Sequence, residues 1–154
     1  VLTVAASPLV GAPAPDFDLR DQHGQHVRLS DLRGRPVVLV FYPFAFTRVC
    51  TGELRALRDE LASLDAAVMA VSCDSMYALR VFAEQEGLEY PLLADFWPHG
   101  EVARSYGVFD AELGCAKRGT FVIDGDGIVI WTVVNSIAEA RDIEDYRRVL
   151  QPAG

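Results

Sequence analysis

RPVVLVFYPFAFTRVCTGEL, residues 35–54, decides the fold. Its first half is a continuous apolar run rich in β-branched residues, with Pro36 at its start and Pro43 at its end. Such a run reads as a strand buried on both faces, which requires helices above and below a sheet. Its second half changes period. Leu54 and Leu57, followed by Leu61 and Leu64, recur at helical spacing and predict an amphipathic helix. Between strand end and helix start stands Cys50, behind three Phe and a Tyr.

The flanking sequence extends this strand–helix pair. FDLRDQHGQHVRLSDLRG alternates Phe17, Leu19 and Val27, Leu29 around DQHGQ, a small N-terminal β-hairpin. AAVMAVSCDS predicts a second buried strand that ends at Asp74 or Ser75 as the N-cap of another helix. That helix turns Leu79, Phe82 and Ala83 inward and stops at Gly87. YPLLADFW predicts a short strand or extended segment, and GEVARSYGVF a short helix ending near Gly107. RGTFVIDGDGIVIWTVV is a hairpin, two apolar runs around DGDG. A last helix is predicted over residues 139–150, with Ile143, Tyr146, Val149 and Leu150 on one face. The fold class is α/β: a sandwich on a central mixed sheet, in a single domain over residues 1–154.

Composition excludes several classes. A net charge of −8 opposes nucleic acid, whose phosphates need a basic surface. No apolar run is long enough to span a bilayer, and the opening residues lack the positive start of a secretory signal. Three cysteines without a CxxC pair rule out a disulfide scaffold, a zinc ribbon and the usual dithiol redox motif. The expected compartment is a reducing cytoplasm. His23, His26 and His99 have no ligand spacing, and DGDG lacks the rest of a calcium loop.

Cys50 is the residue with chemistry to explain. Apolar neighbours make a thiol inert, and free cysteine is among the most buried residue types. Yet a strand's carboxyl end faces the usual crevice of an α/β sheet. A helix N-terminus adds unpaired N–H groups and partial positive charge, which favour thiolate. Thr47, three residues earlier, brings a hydroxyl within reach of the sulfur or of a bound oxygen, and Pro43 shapes the turn.

PFAFTRVC is Pro-x-x-x-Thr-x-x-Cys, which resembles the active-site signature of the peroxiredoxins. The likeness continues in family order through APDFDLRDQHGQHVRLSDLRGRPVVLVFYP, VSCDS, YPLLADF and RGTFVIDGDG. PFAFTRVCTGEL, DFWPHG and RGTFVID are most similar to the one-cysteine AhpE type. The resemblance implies a thioredoxin-like fold and a hydroperoxide reductase without metal or organic cofactor. It makes Cys50 the peroxidatic cysteine, Thr47 the hydroxyl that orients the peroxide and Pro43 a shield for the thiolate. Arg118 matches the family's active-site arginine, and Glu53 a recurrent acid that orients an arginine. Without the resemblance, Arg118 reads as a solvated charge and Glu53 as a first-turn acid complementing the helix dipole.

The resemblance also implies a hydroperoxide substrate, a low-molecular-weight thiol or thiol-redox protein as external reductant, and a homodimer. Its contact would use the Cys50 loop and DFWPHG, with Phe96 and Trp97 as anchors. Cys73 and Cys115 are expected to be packing residues, with a resolving role as the alternative. If one strand ran through both Cys115 and Arg118, their odd spacing would put them on opposite faces. Two rivals stay open: a disulfide-exchanging enzyme on the same fold, weakened by the missing CxxC, and a non-catalytic binding or chaperone domain.

Magnitudes set the task for the other groups. An ordinary thiol is only about 3% ionised at neutral pH, so full ionisation gains roughly 30-fold. Enzymic accelerations of about 10⁶ or more need positioning and aimed donors as well.

Overall fold

The computed structural model describes residues 9–60, 65–135, 141 and 143–150. The N-terminal hairpin is β1 (Asp18–Arg20) and β2 (His26–Arg28), in register with Leu19 opposite Val27. A 3-10 turn at Leu29–Leu32 leads to β3 (Val37–Phe41), every residue of which is buried. Helix α1 (Arg48–Glu60) follows, then β4 (Ala67–Ser72), α2 (Met76–Glu86), β5 (Leu92–Ala94) and α3 (Glu101–Ser105). A two-stranded ribbon, β6 (Phe109–Asp110) and β7 (Cys115–Ala116), precedes the hairpin of β8 (Arg118–Ile123) and β9 (Val129–Asn135). Helix α4 (Ile143–Leu150) is the last described element.

Seven strands form one mixed sheet in the order β2-β1-β5-β4-β3-β8-β9. β3, β4 and β5 are parallel, so each connection must cross over a face, and α1 and α2 make those crossovers. Strand alternation divides the core. Val38, Val40 and Tyr42 pack under α1, α2 and α4 with Leu54, Leu57, Leu79, Phe82 and Tyr146. Val37, Leu39 and Phe41 face the opposite layer, with Met69, Val71, Val102, Tyr106 and Phe121. Burying a Leu or Phe side chain contributes about 1.5–3 kcal/mol, so these layers supply the rigidity on which the site rests.

The α/β sandwich, its N-terminal hairpin and its central mixed sheet agree with the sequence pattern. Ser75, not Asp74, is the N-cap of α2: its hydroxyl accepts the Ala78 N–H, and Gly87 ends the helix in the left-handed region. Helix α3 stops at Ser105, two residues short of Gly107, and the β6–β7 ribbon was not foreseen. That ribbon corrects the face argument for Cys115. Cys115 lies on β7 and Arg118 on β8, so alternation along one strand does not relate them. Leu61, Leu64 and residues 139, 140 and 142 fall outside the described residues, as does the Ile143 side chain; Tyr146, Val149 and Leu150 share an inward face. Among the described residues no helix is long and apolar enough to cross a membrane.

Candidate active site

The ladder of β3 continues for one residue past its end, where the Tyr42 N–H donates to the Val71 carbonyl at 2.9 Å. Pro43, buried, has no N–H to extend it, and the chain leaves the sheet. It re-enters as α1 after Phe46, whose φ of +71° is rare for a residue with a side chain. The Phe46 ring meets the buried Phe82 edge-on at 5.1 Å, a contact that holds this turn. Cys50 is thus the third residue of α1 and is fully buried. The Thr51 N–H reaches the Thr47 carbonyl at 2.9 Å, closing the first turn. The N–H groups of Arg48, Val49 and Cys50 have no hydrogen-bond acceptor among the described residues, as the first turn of a helix dictates.

Arg118 comes from the neighbouring strand. β8 runs antiparallel to β3 with Thr120 opposite Val40, so two places further on Arg118 stands beside Tyr42 and faces α1. Its Nη2 donates to Cys50 Sγ at 3.1 Å and its Nη1 to Glu53 Oε1. The side chain is only 2% exposed, so the solvated-charge alternative does not describe it.

Glu53 lies one turn beyond Cys50 and binds two arginines. Arg141, absent from the sequence reading, gives Nη2 to Glu53 Oε1 at 2.9 Å, and its backbone N–H and Nε to Oε2 at 2.6 and 2.9 Å. Its Nη1 also reaches the Phe41 and Gly119 carbonyls, at 2.6 and 2.9 Å. Burial pushes the Glu53 carboxyl up, but hydrogen bonds and charge from Arg141, with the charge of Arg118, outweigh it and hold it below the ordinary range. No local pattern marks Arg141 among the fourteen Lys and Arg of the chain; its partners lie 21 to 100 residues away.

Thr47 is exposed, and its hydroxyl donates to the Phe44 carbonyl at 2.9 Å. That bond uses its one proton and leaves oxygen lone pairs free to accept. Cys73 and Cys115 are buried free thiols. Burial, then the charge of Asp95 and the neighbouring Cys115, pushes Cys73 up to about 12. Burial, then Asp110 and Cys50, pushes Cys115 up to about 11. Both shifts favour the thiol over the thiolate form. His23 and His26 are exposed, and His26 pairs with Asp18 at 2.8 Å. Among the described residues no three His, Cys, Asp or Glu side chains gather as a metal site.

The chain's similarities agree with this geometry. The family model described as AhpC/TSA matches residues 10–132. Alkyl hydroperoxide reductase E of Mycobacterium tuberculosis is 48% identical over 137 residues, covering 86% of this chain and 90% of the relative. Among solved structures, peroxidoxin BcpB of M. tuberculosis superposes with a TM-score of 0.80 at 36% identity, covering 93% of this chain and 98% of the other. Enterococcus faecalis AhpC gives 0.83 at 32% identity, covering 92% and 90%. The fold is accordingly the thioredoxin-like sandwich of these enzymes, and the chain belongs to the AhpC/TSA family of peroxiredoxins, in its one-cysteine, AhpE-type branch.

Proposed function

We propose that Cys50 is the cysteine through which this thiol-dependent peroxidase reduces hydroperoxides. The observation that carries the assignment is Arg118 Nη2, 3.1 Å from Cys50 Sγ at the N-terminus of α1. Charge supports it. Arg118 and Arg141 both pair with the Glu53 carboxylate, and the Arg118 guanidinium, already donating to Sγ, favours a thiolate over a thiol there.

The thiolate attacks the terminal peroxide oxygen. The S–O bond forms as the O–O bond breaks, the alkoxide or hydroxide that leaves takes a proton from water, and Cys50 becomes a sulfenic acid. Arg118 and the free N–H groups of Val49 and Cys50 are donors for the charge that develops on oxygen. Thr47 accepts the hydrogen bond of the peroxide's own O–H. Pro43 shields sulfur from bulk water. Glu53, held by Arg141, fixes the Arg118 guanidinium. One external thiol then displaces water from the sulfenic acid to give a mixed disulfide. A second releases Cys50 and leaves as the external disulfide.

One equivalent of hydrogen peroxide should leave a sulfenic acid on Cys50 that dimedone traps and mass spectrometry locates. Cys73 and Cys115, as packing thiols, should stay unmodified, and a Cys73→Ser, Cys115→Ser double variant should give the same adduct yield. A high-yield disulfide joining Cys50 to either one would make that residue resolving.

A homodimer fits the surface. Trp97 is 81% exposed, with Phe96, Phe46 and Phe44 also on the surface. An uncovered Trp beside other aromatics is the composition of an interface core. Sedimentation should find a dimer at micromolar concentration, which Trp97→Glu converts to monomer. A monomeric wild type, reduced and oxidised alike, rejects the assignment. Three unpaired buried thiols also suit a reducing compartment such as the cytoplasm.

A further inference from the structure

We infer that Asp74 is a positioning residue for peroxide reduction: its carboxylate latches the Pro43–Thr47 turn to the end of β4. The inference rests on the assignment of Cys50 and extends it to a residue outside the signature. Asp74 Oδ2 accepts the Ala45 N–H at 2.9 Å, across 29 residues of chain. The same oxygen accepts the Ser72 hydroxyl at 2.7 Å, and Ser72 Oγ in turn takes the Asp74 N–H at 3.3 Å. Ser72 is fully buried at the end of β4, so the carboxylate is aimed by a fixed anchor.

The latch grips the turn where it needs support. Ala45 precedes Phe46, whose left-handed backbone is unfavourable for a residue with a side chain and persists only where neighbours over-determine it. On one side the Phe46 ring leans on Phe82; on the other, Asp74 holds the Ala45 N–H. Thr47, the next residue, closes the first turn of α1 and carries the hydroxyl set against Phe44. Releasing the Ala45 N–H lets Phe46 relax toward an ordinary backbone. The start of α1 then turns, carrying Thr47 and Cys50 away from Arg118. Asp74 does no cap work for α2, which Ser75 provides, so its bonds go to this turn.

Its charge alone would act in the opposite direction. Burial is the main reason that the Tyr42, Cys73 and Cys115 groups are pushed up, and the Asp74 carboxylate adds to it in each case, as any anion disfavours a second one nearby.

The two roles differ in sign, which makes them separable. Asp74→Ala should slow Cys50 oxidation by between about tenfold and a hundredfold, the loss expected from a small displacement of reacting groups. Its pH–rate profile should move to higher pH, because the sulfur loses its donors. Simple removal of charge would move the profile to lower pH. Asp74→Asn keeps an oxygen for the Ala45 N–H and should recover most of the rate. Hydrogen exchange in the peptide over residues 42–50 should quicken in Asp74→Ala and not in Asp74→Asn, with β8 peptides unchanged. Should Asp74→Ala fail to fold, Ser72→Ala, which deletes the hydroxyl aiming the carboxylate, carries the same readouts. The inference is overturned by a wild-type rate and exchange in Asp74→Ala, or in Ser72→Ala where that variant decides. A profile displaced to lower pH, or an Asp74→Asn as slow as Asp74→Ala, overturns it too. Cys50→Ser separates the two levels: if that variant still turns over peroxide the Cys50 assignment fails, whereas an inactive Cys50→Ser beside a wild-type Asp74→Ala sinks only the latch.

Discussion

Cys50→Ser should consume no hydroperoxide above the uncatalysed rate with any thiol donor, and should give no dimedone adduct. The reason is chemical before it is structural. A serine hydroxyl is not ionised at neutral pH, and its oxygen cannot be oxidised by two electrons as sulfur can. The fold should be unaffected. Cys50 is fully buried among Val40, Tyr42 and Leu54, and the smaller Oγ can still accept the Arg118 hydrogen bond. The variant should therefore stay within about 1–2 kcal/mol of wild-type stability. Peroxidase assays paired with thermal unfolding test both halves. Appreciable turnover by a folded Cys50→Ser would transfer the reaction to another group, and the buried Cys73 and Cys115, both shifted toward the thiol form, are poor candidates.

Arg118→Ala should lower the second-order rate of Cys50 oxidation by about 10²–10³, the cost of deleting one aimed donor at a site of developing charge. It should also lose stability, because the guanidinium is buried and bonded to Glu53. Breaking a buried ion pair costs about 3–5 kcal/mol, but Arg141 stays on both Glu53 oxygens, so the loss should lie at the low end of that range. Arg118→Lys sharpens the test. A lysine keeps the charge but cannot hold Cys50 and Glu53 at once in a planar fork, so its rate should fall between wild type and alanine. Stopped-flow oxidation at several pH values measures all three proteins. Equal rates in Arg118→Ala and wild type would reduce Arg118 to a packing role.

Local sequence was enough for much of this molecule because the relevant forces are local. The uninterrupted run of β3 could be only a strand covered on both faces, and the leucines after it only a helix. From that strand–helix junction, Cys50 at the head of α1 followed directly, and the spacing to Pro43 and Thr47 came with it. The β6–β7 ribbon was illegible because two-residue strands are too short to show any period. Arg141 and the true place of Asp74 were illegible for a different reason.

By itself, the sequence determined the α/β order, the turn that presents Cys50 and the residue types able to ionise and guard a thiol. These depend on periodicity and on the chemistry of neighbours a few positions apart. Only the tertiary structure decided which charges meet. Arg118 reaches Sγ because β8 lies antiparallel against β3, at a separation of 68 residues. Arg141 grips Glu53 from 88 residues away, and Asp74 turns from the helix it precedes toward a loop 29 residues behind it. A buried guanidinium or carboxylate must find partners wherever the packed layers supply them, and sheet register and helix placement choose those partners rather than position along the chain.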